Sequence, residues 1–152
     1  MVIWSNLWES HVNMMINFEQ LAMVMGDGVV ISDANGNIVY WNQAAERIFG
    51  YTSEEAIGKS LDIITPERFR DRHWDGYRKS MQSGTTRYGS TLLTVPALHK
   101  EGKALSIAFT VAMLTNEDGV VVAIAAVVRD DTERFQLDRS LKKQISELEA
   151  KV

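Results

Sequence analysis

The sequence predicts an α+β fold: a five-stranded antiparallel sheet with short helices on one face, flanked by an N-terminal amphipathic helix and a C-terminal helix.

 Three observations predict it. Strand-like segments come as a pair, then a block of short helical segments, then three more strands, an order that suits helices gathered on one face of an antiparallel sheet rather than alternating βαβ units. The 152 residues, 45% hydrophobic and 24% charged, match one domain large enough for a real core. Turn-forming residues separate the segments at short intervals, with no internal repeat or low-complexity tract.

Residues 7–25 carry Leu7, Trp8, Met14, Met15, Phe18, Leu21, Ala22 and Met25, mostly three or four apart, the spacing of one helix face. Gly26-Asp27-Gly28 ends this helix. Val29–Ser32 and Ile38–Trp41 read as short strands about the turn Asp33-Ala34-Asn35-Gly36-Asn37, with Gly36 free to take positive φ. Residues 43–49 set Ala44, Ala45, Ile48 and Phe49 on one side of a short helix closed by Gly50. Thr52 and Glu55 match a capping box for the next helix, which ends at Gly58. Pro66 opens a helix running to about Gln82, with Gly84 beyond it. Strands are expected over 86–97, 104–114 and 120–129, separated by Lys100-Glu101-Gly102 and Asn116-Glu117-Asp118-Gly119. After Asp130 a polar helix runs to the end, where Leu141, Ile145, Leu148 and Val152 fall at heptad spacing and make a candidate coiled coil.

Composition excludes several kinds of chemistry. Sixteen basic against twenty acidic side chains, for a formal charge of -4, give no general electrostatic reason to bind nucleic acid. The chain has no cysteine, so it has no disulfide scaffold, thiolate metal site, iron–sulfur cluster, thiol nucleophile or thiol for a covalent flavin adduct. No apolar run approaches the roughly 20 residues of a membrane span. No Lys or Arg precedes Arg47, so a basic signal-peptide start is missing and a cytoplasmic location is expected. A glycine-rich phosphate loop, a Gly-x-Ser-x-Gly elbow and a His-Glu-x-x-His pair are all missing, and His11, His73 and His99 lie far apart. No enzyme is expected, and His11 and His99 read as solvent-facing bystanders.

At this point the residues resemble the PAS domains, small sensor and interaction modules of bacterial signalling proteins. The resemblance spans about residues 18–134. It is carried by Gly28-Val29-Val30-Ile31-Ser32-Asp33-Ala34-Asn35-Gly36, by Tyr40-Trp41-Asn42-Gln43-Ala44-Ala45-Glu46, by Phe49-Gly50-Tyr51 and by Glu54-Glu55-Ala56-Ile57-Gly58-Lys59. The closing Arg129-Asp130-Asp131-Thr132-Glu133-Arg134 is similar to the family's Asp-Ile-Thr exit motif, with Asp131 where an apolar residue usually stands. The resemblance implies three parts: residues 1–26 as a dimerisation helix, 27–131 as the PAS core and 132–152 as a signalling helix. It implies a sensor that binds a small molecule or a partner protein and hands the change to a kinase, cyclase or chemoreceptor output module.

Candidate ligand-binding residues are Trp41, Asn42, Phe69, His73, Trp74 and Tyr77. On a helix from Pro66, Phe69, His73, Tyr77 and Met81 fall four apart and share a face, so the His73 imidazole is expected to be buried and hydrogen-bonded. Haem-binding members of the family carry their iron-ligating histidine on this helix. Matched through Asp75 and Tyr77, that position is Trp74 here, one residue and about 100° of helix away from His73. The cofactor is therefore unassigned: haem on His73 is one alternative, flavin has no specific residue to hold it, and a ligand-free dimerisation adaptor is another. A small enzyme with His73 as general base is the remaining alternative. Arg68, Arg70, Arg72, Arg78 and Lys79 alternate with acidic residues, and pairs from Arg68 to Asp71 and from Asp75 to Lys79 are expected.

Both faces of the last two strands avoid water: Leu105, Ile107, Phe109, Val111 and Met113 on one side of the first, and small residues including Ala123 and Ala125 on the outer side of the second. The helix over 7–25 is expected to cover that outer face together with a second chain. Trp8, Met15, Phe18, Ala123, Ala125, Leu141, Ile145 and Leu148 are the candidate homodimer interface, and Asp130, Asp131, Thr132 and Glu133 the signal exit, with Asp130 and Glu133 at capping-box spacing.

Overall fold

The computed structural model describes residues 15–86 and 88–152. Helix α1 (Phe18–Val24) leads into strands β1 (Gly28–Asp33) and β2 (Ile38–Trp41). Helices α2 (Gln43–Phe49) and α3 (Ser53–Ala56), the 3-10 turns Leu61–Ile64 and Glu67–Phe69, and helix α4 (Arg70–Ser83) follow. Strands β3 (Leu93–Leu98), β4 (Ala104–Thr115) and β5 (Val121–Asp130) complete the sheet, and helix α5 (Thr132–Ala150) leaves it. The sheet order is β2-β1-β5-β4-β3, antiparallel throughout. The first strand pair and the last three strands therefore join through β1 and β5 at the centre. This is the α+β architecture expected.

The core lies between the sheet and the short helices. Ile38, Trp41, Ala45 and Phe49 from the first half meet Leu105, Ile107, Ile124 and Val128 from the second. The β1–β2 turn forms as its residues dictate: Asp33 accepts from the Asn35 and Asn37 amides at 2.9 Å each, and Gly36 takes φ 79°. The capping box of α3 is present, with Thr52 and Glu55 each serving the other's amide. At the far end the β3–β4 turn docks on α2, since the Lys100 amide donates to the Phe49 carbonyl at 2.9 Å. Here the structure corrects the bystander reading of His99. Its ring lies against Gly50, and its Nδ1 accepts from the Glu101 amide at 3.1 Å.

Four other expectations need correction. The helix expected over 7–25 starts, in its described part, only at Phe18, because the Asn17 side chain accepts from the Gln20 amide at 2.9 Å and caps it there. Residues 7–14, with Trp8 and His11, lie outside the described residues. The strand expected over 86–97 is shorter, Leu93–Leu98. Gly89-Ser90-Thr91 offers no apolar alternation to hold a longer strand against β4, and residues 88–91 form turn and bends. The ion pair from Arg68 to Asp71 is replaced by Arg68 stacked 4.8 Å over the Phe69 ring, whereas Asp75 does pair with Lys79 at 3.7 Å. Finally, the capping box from Asp130 to Glu133 does not form. The N-cap of α5 is Asp131, and its carboxylate is held by Arg134 at 2.8 and 3.1 Å instead of capping an amide.

Candidate functional site

Helix α4 lies across the β1–β2 hairpin and is pinned to it by two side chains. The Tyr77 hydroxyl donates to the Asp33 carbonyl and accepts from the Ser32 hydroxyl at 2.9 Å. Burial, the larger influence, pushes the phenol pKa up despite that bond. One turn back, the Trp74 indole covers Gly36. A Cβ at Gly36 would lie 2.1 Å from the ring, so the turn needs glycine both for its φ and for this approach. The Trp74 Nε1 donates to Asp62 at 2.8 Å, and the Arg70 guanidinium reaches the Asp62 and Thr65 carbonyls at 3.3 and 3.1 Å.

His73 stands beside this clamp. Its ring meets Trp74 edge-on with centroids 4.8 Å apart, and Tyr77 at 5.9 Å. The Nδ1 atom is buried without a hydrogen-bond partner, which corrects the expected protein hydrogen bond. Desolvation lowers the imidazole pKa below its ordinary value, opposed in part by the charge of Asp62. The ring is therefore held neutral.

The six candidate ligand residues do not form one pocket. His73, Trp74 and Tyr77 come together as expected, joined by Ser32, Gly36 and Asp62, which the sequence reading did not include. Phe69 sits in the preceding 3-10 turn under Arg68 rather than on α4. Trp41 and Asn42 stand at the other end of β2 and are committed to structure. The Trp41 ring packs 5.3 Å from Phe49, and its Nε1 donates to the Tyr51 carbonyl at 3.0 Å. Asn42 is fully buried, its Oδ1 accepting from the Val29 and Ala45 amides at 2.8 and 3.0 Å and its Nδ2 donating to the Ala22 and Asp27 carbonyls at 2.8 and 3.0 Å. Every polar capacity of Asn42 is used on backbone.

This packing also tests the haem alternative. An unpartnered imidazole nitrogen is a suitable iron donor. The space on the sheet side of α4, however, is filled by Trp74 and Tyr77, both bonded to the hairpin or to Asp62. In this arrangement the residues do not fit a haem. Among the described residues, no group of three or more His, Asp or Glu could hold a metal ion.

The exit from the sheet is built from backbone and short side chains. The Asp131 amide donates to the Ser106 carbonyl at 2.8 Å, and the Ser106 amide donates to the Thr132 hydroxyl at 3.0 Å. Asp130 accepts from the Thr132 amide at 3.0 Å and from its hydroxyl at 2.6 Å. Helix α5 then runs free of the sheet with no buried residue, and Leu141, Ile145 and Leu148 are 48%, 55% and 64% exposed. No described helix is long and apolar enough to cross a membrane.

The outer sheet face carries Ile31, Ala125 and Ala112 in one cross-strand row and Ala123 beside Leu114 in the next. Val127 and Leu114 on this face are 37% and 39% exposed. The described part of the expected cover, α1, is bound at Ala22 to Asn42 instead, and its Glu19 lies near Tyr40 at the β2 margin. Met15 and Phe18 are exposed.

The model of the PAS fold matches residues 17–130. An uncharacterized protein of Azorhizobium caulinodans is 33% identical over 118 residues, 77% of this chain and 16% of that protein. The oxygen sensor protein DosP of Escherichia coli is 28% identical over 103 residues, 68% of this chain and 13% of DosP. The chain thus spans less than a fifth of the length of either relative. Among solved structures, the PAS domain of a protein from Colwellia psychrerythraea superposes with a TM-score of 0.67 at 22% identity, covering 76% of this chain and 95% of that one.

Proposed function

The chain belongs to the PAS family, and on that premise we propose that this sensory signalling module works as a homodimer, taking a small ligand or a partner protein at α4 or on the outer sheet face and passing the change through β5 into α5. The observation that carries this reading is the exit geometry. Strand β5 runs into α5 with no glycine or proline between them, and the start of α5 is bonded to β4 at Ser106. A shift of the sheet therefore moves the first turn of the helix. Beyond it, Leu141, Ile145 and Leu148 have no partner among the described residues and suit a parallel copy of the same helix.

The oxygen-sensing role that DosP is named for supports a sensor but does not carry its stimulus to this chain. The filled interior favours a second reading, a ligand-free dimerisation adaptor, since Ile38, Trp41, Asn42 and Phe49 leave no exposed surface in the core. The output partner in either reading is a kinase, cyclase or chemoreceptor module. The test joins the chain through α5 to a histidine kinase in heptad register. Dimerisation by light scattering and a kinase rate that changes with a small molecule found by thermal shift support the sensor. A dimer whose output no ligand alters supports the adaptor, and a monomer overturns both. An absorption spectrum of the purified protein stands beside it: a Soret band lost in His73→Ala would replace both readings with a haem sensor.

A further inference from the structure

We propose that Asp27 and Arg129 form a joint that passes the position of α1 directly to the output helix, so that the module can be driven from its N-terminal side without a change in its core. The proposal rests on the reading of α5 as the output helix. Strands β1 and β5 pair with Gly28 opposite Val128, and the next step of the same register sets Asp27 against Arg129. The Arg129 Nε and Nη2 donate to the two Asp27 carboxylate oxygens at 3.0 Å each. This two-pronged geometry fixes orientation as well as distance.

Both sides of the joint are anchored. On the Asp27 side, Asn42 binds the Ala22 and Asp27 carbonyls with one amide group, so the end of α1 and the start of β1 are held by the same atom. Gly28 lets α2 approach closely: a Cβ there would meet Ile48 Cδ1 at 3.2 Å and the Val128 carbonyl at 3.4 Å. On the other side, Arg129 directly precedes Asp130, which holds the Thr132 amide at the start of α5. Displacing α1 therefore draws on Asp27, Arg129 and the first turn of the output helix in succession. The pair is open to solvent, with side-chain exposures of 31% for Asp27 and 73% for Arg129, so salt must weaken it.

Amide hydrogen exchange on the full chain tests the joint at both ends. The reporters are Leu21 and Met25 in and after α1, bonded to the Asn17 and Leu21 carbonyls, and Phe135 in α5, bonded to the Asp131 carbonyl. Asp27→Asn is expected to speed exchange at Phe135 about threefold, and Arg129→Gln to do the same at Leu21 and Met25. The swap of Asp27→Arg with Arg129→Asp is expected to recover at least half of the loss. High salt should speed exchange at Phe135 more in the parent than in Asp27→Asn, since screening of the Asp131–Arg134 pair is common to both. Exchange at Phe135 that ignores both Asp27→Asn and salt overturns the joint, as does a swap that recovers nothing. Because the exposed Asp131–Arg134 pair beside the reporter is screened as well, the salt effect is read as the difference between the parent and Asp27→Asn, and Arg129→Gln takes the place of Asp27→Asn if that variant folds poorly. Because exchange needs no output module, a silent kinase fusion with intact coupling would count against the signalling reading alone.

Discussion

Asn42 spends its whole hydrogen-bonding capacity on four backbone groups, and that decides what the residue does. Asn42→Ala leaves the Val29 and Ala45 amides without an acceptor in the interior and is expected to cost about 3 kcal/mol, an N-cap and a buried bond together. Urea unfolding measures it, and a loss below about 1 kcal/mol would show that water replaces the side chain. The sequence offered Asn42 as a candidate ligand contact beside Trp41, but its partners lie up to 20 residues away and only the fold brings them in. His73 was legible as a residue facing aromatics, though its missing bond partner was not. Its pKa is depressed in the folded state, so the unfolded chain binds the proton more readily. Stability is therefore full above the ordinary histidine pKa of about 6.5 and falls as pH drops below it towards the lower folded value. His73→Leu should flatten the urea midpoint between pH 7.5 and 5.5, and an equally steep slope in the variant would assign the loss to other groups.

At the scale of elements, what was legible was local. The β1–β2 turn, the capping box of α3 and the Gly84 stop of α4 each rest on residues within a turn or two of one another, and each forms, whereas Pro66 opens only a 3-10 turn and the α-helix begins at Arg70. What failed depended on competition. The Asn17 cap starts α1 at Phe18 although the apolar spacing runs through that point, and the expected β3 extension lacks the alternation that would pair it with β4. The outer sheet face was also legible, since Ala123 and Ala125 occupy positions where an open sheet would be polar. We expect Ala123→Glu with Ala125→Glu to set two carboxylates into the proposed dimer contact and dissociate the dimer, because like charges facing a copy of themselves cannot pair. Light scattering with melting reads the result. An unchanged oligomer with unchanged melting would mean that this face meets no second chain.

Across the whole molecule, the sheet order brings together segments that the sequence keeps at opposite ends. Asp27 and Arg129 stand 102 residues apart and meet because β1 and β5 are central neighbours. No periodicity or motif encodes that adjacency, which arises only when the two halves of the sheet close on each other. At the exit, the proposed switch draws on bonds of small energy. Asp130 caps the Thr132 amide, though not through the reciprocal Glu133 bond expected, and the loss of such a cap is worth about 0.5 to 2 kcal/mol. Against the stability of a domain this is small, but in a two-state switch it changes the population ratio about 2- to 30-fold. Asp130→Ala should therefore leave the melting temperature of the core within a few degrees while shifting the basal output of a kinase joined to α5 in heptad register. The direction of that shift reports which state the cap favours: a higher basal rate means the capped helix is the restrained one. If basal output and melting are both unchanged, the bonds from Asp131 and Thr132 to Ser106 hold the exit without Asp130, and the joint at Asp27 and Arg129 would have to act on the helix through the strand alone.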